Sequence, residues 1–378
     1  MRKILFLADP NSIHDIKWIS FFANENSDRC LLLPRLHHYQ AYHKASADDR
    51  QAPGNFHILS PIHDFSIVRC YRTFYEAFLI KRIIRRNKIS VVHILYAEPN
   101  ALWCLFRSFF SVPIIISTRG TDVLKTIPSA VRRKDPLNRL VAYLYKRAFQ
   151  NADWITATSQ AQIASITRFS GREGRLSVVR TGVDTKRLVC DTSNHFPLAD
   201  DRPFVLFPRY IKPIYNHEFC LAAIALLSPS VRQRYKMVFV GKNHGDNPYQ
   251  KRIENLMQQQ SGVVFEFIER QRQEAIFELY KRASLVVMTP VSDGSPVSGM
   301  EALLCGSRLI LGPLDYDEEI FSLATKLEAW DSKELAQKMT WALENTTAKP
   351  GIPDDLRLTI ERSHNMEEMR RIYNRLSE

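Results

Sequence analysis

Two acidic side chains eight positions apart, Asp293 and Glu301, have the types and spacing of a ligand-binding site. The apolar run 285–288 before them predicts a buried strand, and the residues from Ser295 onward predict one short helix. Ser295 is a favourable N-cap residue, and Gly306 can take the left-handed conformation that ends a helix. We therefore expect Asp293 in the loop before the helix and Glu301 inside it.

The start of this predicted helix suits an anionic ligand. Its first backbone N–H groups lack partners within the helix, and together with the helix dipole they favour a phosphate. Pro296 fits the first helical position, where its missing N–H costs nothing. Glu301 shares a helix face with Val297 and Ser298, so one ligand could contact the loop and these side chains together.

The segment from Asp293 to Glu301 resembles the acidic motif of the retaining glycosyltransferases of family 4, which are group 1 enzymes of GT-B fold. The resemblance implies that Asp293 contacts the transferred sugar and that Glu301 holds the ribose of a nucleotide diphosphate sugar. Gly294 and the helix start would complete this donor site. The family more often has Glu at the first position, and Asp is shorter by about 1.5 Å. From the residues alone, Asp293-Gly294 could also be an ordinary turn and Glu301 a solvated helix residue.

Further donor-binding residues follow from the same resemblance. Arg209 comes after the apolar run 204–207, where the family places an Arg on the donor diphosphate, and a planar guanidinium can bond two phosphate oxygens at once. The lysine usual about five residues later is missing, and Lys212 is the nearest substitute. Gly241, at the end of another predicted strand, resembles the family's glycine that faces the base and ribose.

The acceptor side resembles the family less closely. Arg119 and Asp122 match a motif in which His is commoner than Arg, and the permanent cation suits a leaving phosphate or an anionic acceptor. The alternative for Asp122 is that it caps the next helix. Ser12 and His14 follow the first strand in place of a glycine-rich loop, which predicts side-chain contact with the acceptor. His14 could instead be a core or capping histidine.

The chain has 378 residues, 45% hydrophobic and 24% charged, which favours two folded domains. Apolar runs alternate with amphipathic helical patterns in both halves, as is typical of parallel sheets covered on both faces. We predict an α/β protein of GT-B fold with two Rossmann-like domains facing each other across a cleft, where ligands bind at strand ends. Its parts would be a Rossmann-like acceptor-binding domain (1–190), a linker (191–203), a Rossmann-like nucleotide-sugar-binding domain (204–353) and a C-terminal helix returning to the first domain (354–378).

The net charge of +12 is concentrated in the first half, where residues 1–190 hold 29 Lys and Arg against 14 Asp and Glu. This asymmetry suggests an anionic partner such as a membrane surface. Residues 71–88 carry aromatic residues at helical spacing among basic residues, as in a helix that lies on anionic lipid. The alternative is that the aromatic stripe packs on the sheet. A second basic cluster occupies residues 132–147.

The six cysteines show no C-x-x-C spacing, which favours a reducing cytoplasm without structural zinc. The N-terminus predicts a first β-strand rather than an export signal, and no apolar run is long enough to span a bilayer. We expect a cytoplasmic protein, with the inner face of the cytoplasmic membrane as its site of peripheral attachment. Asp315-Tyr316-Asp317 matches a short metal-binding pattern but is interpreted as a loop, and no metal or other cofactor is expected.

The resemblance implies a retaining, metal-independent glycosyltransferase of the hexosyltransferase type. Its partners would be a nucleotide-sugar donor and a lipid-linked or polysaccharide acceptor of cell-surface glycan assembly. Arg209, Lys212 and the helix dipole would stabilise the departing diphosphate by preorganised electrostatics. The alternatives are a nucleotide-sugar epimerase of GT-B fold and a catalytically inactive nucleotide-sugar-binding protein. Nucleic-acid binding is motivated by charge alone and is not expected.

Overall fold

The computed structural model describes residues 2–25, 28–44, 56–132, 135–189, 198, 200–242, 247–345 and 351–377. The chain divides into two compact units, Met1–Thr181 with Asn365–Glu378 and Gly182–His364. The first unit therefore ends before the predicted boundary at residue 190, and the chain returns to it at Asn365 rather than at the predicted residue 354. Most of the predicted linker 191–203 lies outside the described residues.

The first unit is built on a parallel sheet whose described strands have the order β3-β2-β1-β4-β5-β6-β7. Alternate residues of β1 belong to two apolar clusters, Leu5 and Leu7 to one and Ile4 and Phe6 to the other. The sheet is therefore covered on both faces, as near-continuous apolar strands require. The strands are β1 (Lys3–Leu7), β2 (Arg29–Leu33), β3 (His57–Ile58), β4 (Val91–Leu95), β5 (Ile114–Ser117), β6 (Trp154–Ala157) and β7 (Leu176–Val178).

The helices of this unit connect successive strands. They are α1 (Ile13–Glu25), α2 (Leu36–Lys44), α3 (Cys70–Asn87), α4 (Arg107–Phe110), α5 (Ile127–Arg132), α6 (Pro136–Asn151) and α7 (Gln160–Ser170), with a 3₁₀ segment at Asn100–Phe106 and a π-helical turn at Asp122–Thr126.

The second unit repeats the same architecture with a parallel sheet of order β10-β9-β8-β11-β12-β13. Val205 and Phe207 of β8 pack in one apolar cluster, and Phe204 and Leu206 pack in the other. Both faces of this sheet are buried as well. The strands are β8 (Phe204–Phe207), β9 (Lys236–Lys242), β10 (Val264–Glu269), β11 (Leu285–Met288), β12 (Leu309–Leu311) and β13 (Thr325–Lys326).

The predicted single tail helix is two helices. The chain is extended at Glu361, between α15 and α16. Four apolar residues of α16, Met366, Met369, Ile372 and Tyr373, complete one core cluster of the first unit. The helices from residue 217 onward are α8 (His217–Ala225), α9 (Pro229–Arg234), α10 (Pro248–Gln258), α11 (Gln273–Arg282), α12 (Val297–Leu304), α13 (Glu318–Phe321), α14 (Ser332–Glu344), α15 (Asp354–Ile360) and α16 (Arg362–Ser377).

Candidate active site

Two loops at one edge of the second sheet carry the predicted donor-binding residues. Strands β8 and β11 are parallel neighbours, so the loops that follow them lie at the same edge. The backbone N–H of Val291 donates to the carbonyl of Ile214 at 2.9 Å and joins the two loops. The fold thereby brings together side chains that are more than 80 positions apart in the sequence.

Arg209 lies at the centre of this edge. Its Nη2 donates to Asp293 Oδ2 at 3.0 Å and its Nη1 donates to Ser298 Oγ at 2.5 Å. The Arg209 guanidinium also lies 4.2 Å from the ring centroid of Tyr215, a stacking distance. Three predicted donor residues therefore form one cluster, and Tyr215 is a member that the sequence did not indicate.

Burial and charge act in opposite directions on this pair. Burial raises the pKa of Asp293, and the Arg209 cation and the backbone N–H groups of Gly294 and Ser295 only partly oppose that rise. Burial alone would lower the pKa of Arg209, but Asp293, Tyr215 and Tyr280 raise it above its ordinary value. Arg209 is therefore a permanent cation, and a phosphate entering the site would compete with Asp293 for its N–H groups.

Helix α12 begins one position later than predicted, with Pro296 as its N-cap residue. Ser295 makes no cap bond, and its buried hydroxyl has no hydrogen-bond partner among the described residues. The predicted N-cap role of Ser295 is therefore wrong. The predicted helix end is confirmed, because Gly306 has a φ of 71° and its N–H donates to Leu303 O at 2.7 Å.

Glu301 is buried within α12, so its alternative as a solvated helix residue is wrong. Gln273, at the start of α11, donates from Nε2 to Glu301 Oε1 at 2.8 Å. The Glu301 charge is also near Tyr280, whose pKa is raised well above its ordinary value by burial and then by this carboxylate. The second acid of the motif is thus held in place by neighbours from another helix.

Lys212 and Gly241 are the remaining predicted donor-binding residues outside the segment 293–301. Lys212 is exposed before the short 3₁₀ turn Pro213–Tyr215, and its contact with a phosphate stays a prediction. Gly241 has a φ of 94°, and a Cβ there would lie 2.3 Å from Tyr210 Cδ1. The glycine is therefore required by the approach of Tyr210, and its contact with a nucleotide stays a prediction.

His217, at the start of α8, is a supporting residue that the sequence did not indicate. Its Nε2 faces the Arg209 carbonyl oxygen at 3.0 Å, so the Nε2 proton donates to that carbonyl. Burial lowers the pKa of His217 to about 4, which keeps the ring neutral near pH 7. The ring thereby fixes the backbone that carries Arg209. No sequence spacing signals this contact, which exists only after folding.

In the first unit, Arg119 belongs to a buried polar group beside α1. Its Nη2 lies 3.6 Å from Asp15 Oδ1, its Nη1 donates to Thr181 Oγ1 at 3.2 Å, and its guanidinium lies 4.4 Å from the Trp18 ring. Burial raises the pKa of Asp15 to about 6, against the attraction of Arg119. Asp15 is a neighbour of Arg119 that the sequence did not indicate.

Asp122 is fully buried, and its carboxylate accepts hydrogen bonds from four backbone N–H groups. The donors are Ala97 at 2.8 Å, Gly120 at 2.9 Å, Val123 at 3.0 Å and Arg119 at 3.1 Å. Of these donors only Val123 belongs to the helical turn that Asp122 begins, and the N-cap residue of that turn is Thr121. The Asp122 carboxylate therefore holds its own loop together, and its contact with an acceptor stays a prediction.

Ser12 and His14 lie at the start of α1. The Ser12 hydroxyl accepts from the backbone N–H of Asp15 at 3.3 Å, so Ser12 caps the helix. His14 is exposed, which excludes a core role for it. Both positions stay predictions as acceptor-binding residues. Within the described part of the chain, no group of three or more His, Cys, Asp or Glu residues is arranged to hold a metal ion.

Comparison with known proteins identifies both halves of the chain. Residues 3–159 match the family described as Glycosyl transferase 4-like, and residues 191–356 match Glycosyl transferases group 1. A D-inositol 3-phosphate glycosyltransferase of Catenulispora acidiphila is 23% identical over 232 residues, 58% of this chain and 54% of the relative. An uncharacterized glycosyltransferase of Methanocaldococcus jannaschii is 23% identical over 67% of this chain and 66% of the relative. The chain thus spans about half to two thirds of the length of these curated relatives.

Solved structures share the fold over nearly the whole chain. A glycosyltransferase from Rickettsia africae has a TM-score of 0.75 at 13% identity and covers 99% of this chain and 98% of its own. Anabaena HepE in complex with UDP has a TM-score of 0.73 at 12% identity, covering 99% and 100%. Two parallel-sheet α/β units of this kind define the GT-B class, which confirms the predicted fold. The chain belongs to the group 1 glycosyltransferases of that class.

Proposed function

We propose that this protein is a retaining, metal-independent glycosyltransferase that moves a sugar from a nucleotide diphosphate sugar to a lipid-linked or polysaccharide acceptor. The observation that carries the proposal is the contact of Arg209 with both Asp293 and Ser298 beside the start of α12. The relatives named glycosyltransferases and the neighbour that binds UDP support the same donor chemistry.

The departing diphosphate is the group that this cluster would stabilise. As the bond from the sugar carbon to the phosphate oxygen breaks, negative charge grows on the diphosphate. Arg209 is already held by Tyr215 and by the neutral His217 ring, so little reorganisation is needed when that charge appears. The free N–H groups at the start of α12 add to the same field.

Asp293 and Glu301 would hold the two ends of the donor. Asp293 orients the hydroxyls of the transferred sugar once a phosphate takes over part of Arg209. Glu301, held by Gln273, accepts hydrogen bonds from the ribose hydroxyls. With retention, the acceptor oxygen bonds to the sugar carbon on the face that the diphosphate leaves, and the leaving phosphate oxygen takes the acceptor proton.

Acceptor binding is assigned to the first unit, at the group formed by Ser12, His14 and Arg119. The Arg119 cation, stacked on Trp18, would attract an anionic acceptor or a diphosphate carrier. Within the described ranges, no helix is long and apolar enough to cross a bilayer. We further propose that the enzyme acts in the cytoplasm and reaches a lipid-linked acceptor at the inner membrane face.

A two-stage assay tests this function. Nucleotide diphosphate sugars are first screened for thermal stabilisation of the full chain, and the best donor is then incubated with candidate acceptors after treatment with a chelator. Release of nucleotide diphosphate and a product whose anomeric configuration matches the donor support the proposal. An epimer formed from the donor alone would indicate the epimerase instead, and binding without consumption would indicate an inactive binding protein.

A further inference from the structure

The N-terminal half of α3 exposes a stripe of aromatic side chains. Tyr71, Phe74, Tyr75 and Phe78 are 79%, 64%, 60% and 57% exposed. The alternative that this stripe packs on the sheet is therefore wrong. The helix instead buries a different set of side chains, Thr73, Glu76, Ala77, Ile80 and Ile84.

Basic residues continue the same stripe toward the end of α3. Arg82, Arg85 and Arg86 are exposed and follow Phe78 at four, seven and eight positions, which keeps them on the aromatic side of the helix. The one acidic residue of α3, Glu76, is buried and lies 2.6 Å from His63 Nδ1. The exposed side of α3 therefore carries positive charge without a compensating acid.

The patch extends beyond this helix. Phe109 of the neighbouring α4 is 40% exposed, and Lys81 Nζ lies 3.9 Å from the centroid of its ring. Large apolar patches rimmed by charge mark interaction sites on soluble proteins. The exposed side chains of α3 together with Phe109 are called the aromatic-basic face below.

We infer that the aromatic-basic face docks on an anionic lipid surface. Aromatic rings with polar edges suit the headgroup boundary of a bilayer, and arginine side chains are attracted to anionic headgroups. Charge complementarity selects this occupant, because the exposed side of α3 offers no acidic residue with which Arg82, Arg85 and Arg86 of a second copy could pair. This surface is separate from the donor site and does not depend on the proposed reaction.

Vesicle co-sedimentation of the full chain tests this assignment. The protein should bind vesicles of phosphatidylcholine with phosphatidylglycerol, bind poorly to phosphatidylcholine alone, and be released by high salt. The single variants Arg82→Gln and Arg85→Gln should each partition onto anionic vesicles about fivefold more weakly. The double variant Tyr75→Ser with Phe78→Ser should bind anionic vesicles more weakly at both low and high salt.

Matched controls keep the test specific. Trp341→Ser, on α14 of the other unit, removes an aromatic of similar exposure, 64%, and should leave binding unchanged. All these side chains are exposed, so the thermal midpoint should also stay unchanged. Two results would overturn the inference. One is equal binding of the unaltered chain to neutral and anionic vesicles, and the other is undiminished binding by the double variant Tyr75→Ser with Phe78→Ser. A dimer that disappears in Tyr75→Ser with Phe78→Ser would assign the face to a second copy.

A second, independent observation concerns Tyr316, in the loop that the sequence pattern did not connect with the site. Tyr316 is only 5% exposed, and its buried hydroxyl has no hydrogen-bond partner among the described residues. The Tyr316 ring packs edge-on against Phe321 at 5.5 Å, so the side chain is held in place. A buried hydroxyl without a partner is costly unless a ligand supplies one.

Tyr316 lies at the same sheet edge as the donor cluster. Strand β12, which precedes it, is the parallel neighbour of β11, and Gly312 N donates to Met288 O at 3.0 Å between the two strand ends. Both Asp293 and Arg209 are close enough to affect its phenol. Burial and then the Asp293 carboxylate raise the pKa of Tyr316, so the phenol stays a neutral hydrogen-bond donor.

We propose that Tyr316 donates its hydroxyl hydrogen to an oxygen of the transferred sugar, beside Asp293. This assignment rests on the proposed function, because it needs a nucleotide sugar in the site. A bound donor would accept the hydrogen bond that the Tyr316 hydroxyl lacks within the protein. Tyr316 thus adds a sugar contact from a third loop to those from the β8 and β11 loops.

Two phenylalanine variants separate binding from stability. Tyr316→Phe removes no protein hydrogen bond, so its thermal midpoint should be equal or higher. Its affinity for the nucleotide sugar should fall about two- to tenfold, the worth of one hydrogen bond. Tyr235 is the control, because its buried hydroxyl donates to Leu343 O at 3.0 Å. Tyr235→Phe should lower the thermal midpoint and leave donor affinity unchanged.

The nucleotide diphosphate without sugar completes the design. Tyr316→Phe should bind it as tightly as the unaltered chain does. An equal loss for both ligands would move the contact to the phosphates, and no loss for either would exclude Tyr316 from the site. If the unaltered chain binds no nucleotide diphosphate or nucleotide sugar at all, the proposed function itself fails, which is distinguishable from a failure of Tyr316 alone.

Discussion

Replacing Arg209 tests the donor site at its centre. The guanidinium holds Asp293 at 3.0 Å and Ser298 at 2.5 Å, and Tyr215 covers its face, so its position is fixed before substrate arrives. Removing one preorganised group that stabilises transition-state charge costs about 10²- to 10³-fold in kcat. We expect Arg209→Ala to lower kcat by about this factor with a smaller change in KM.

Arg209→Lys separates charge from geometry. A lysine ammonium keeps the cation but cannot hold two partners along the parallel directions of a guanidinium. Losing one charge-assisted hydrogen bond is worth about 10- to 100-fold, so this variant should lie between the unaltered enzyme and Arg209→Ala. The assay is nucleotide diphosphate release at saturating donor. Arg202→Ala, an exposed arginine just before β8, is the control and should keep full activity.

A folded Arg209→Ala enzyme whose kcat stays within about threefold of the unaltered value would show that Arg209 does not stabilise the diphosphate. The diphosphate would then be bound elsewhere. An equal loss in Arg202→Ala would show that any change of charge in this unit lowers activity. Unfolding curves for each variant distinguish a damaged site from a damaged fold.

Three further outcomes are expected. Glu301→Gln keeps the shape but removes the charge that would hold the ribose, so kcat/KM for the donor should fall about ten- to hundredfold. His217 has a pKa of about 4 in the folded state against 6.5 in the unfolded chain, so the unfolded state binds more protons between these values and stability should rise with pH there. His217→Gln should flatten that rise in urea unfolding. Gly241→Ala should destabilise the protein more than Gly262→Ala, because both have positive φ but only Gly241 faces Tyr210.

Each expectation has an outcome that contradicts it. Unchanged donor kinetics in Glu301→Gln would remove the ribose contact. A pH profile of stability with the same slope in His217→Gln would mean that another group titrates. Equal losses in Gly241→Ala and Gly262→Ala would show that φ alone, and not the Tyr210 contact, requires glycine at 241.

Local patterns sufficed for much of the fold. Strands β8 and β11 coincide with the apolar runs 204–207 and 285–288. Strand β2 was not predicted, although its run Cys30–Leu33 is as long as that of β8. Helix α3 carries side chains at helical spacing on two faces. The face with the smaller side chains Thr73 and Ala77 packs inward, and the aromatic face stays exposed. Periodicity alone does not choose between two apolar faces.

The site residues that belong to a continuous sequence motif could be predicted. Asp293, Ser298 and Glu301 lie within one continuous segment, and Arg209 follows a clear strand, so their relation to the helix start could be inferred. His217, Tyr215 and Tyr316 could not, because their contacts depend on how loops from different strands pack. Asp122 matches the motif as well, and folding adds that its carboxylate accepts backbone hydrogen bonds within its own loop.

The contribution of α16 to the first unit constrains the order of events during synthesis. Residues Met366, Met369, Ile372 and Tyr373 leave the ribosome after every residue of the second unit, yet they close one side of the first unit's core. Until they emerge, Phe22 lacks the Tyr373 ring that packs against it, and the His93 ring lacks one of its two hydroxyl partners. The first unit therefore stays incomplete during synthesis until the second unit has been made and α16 has followed it.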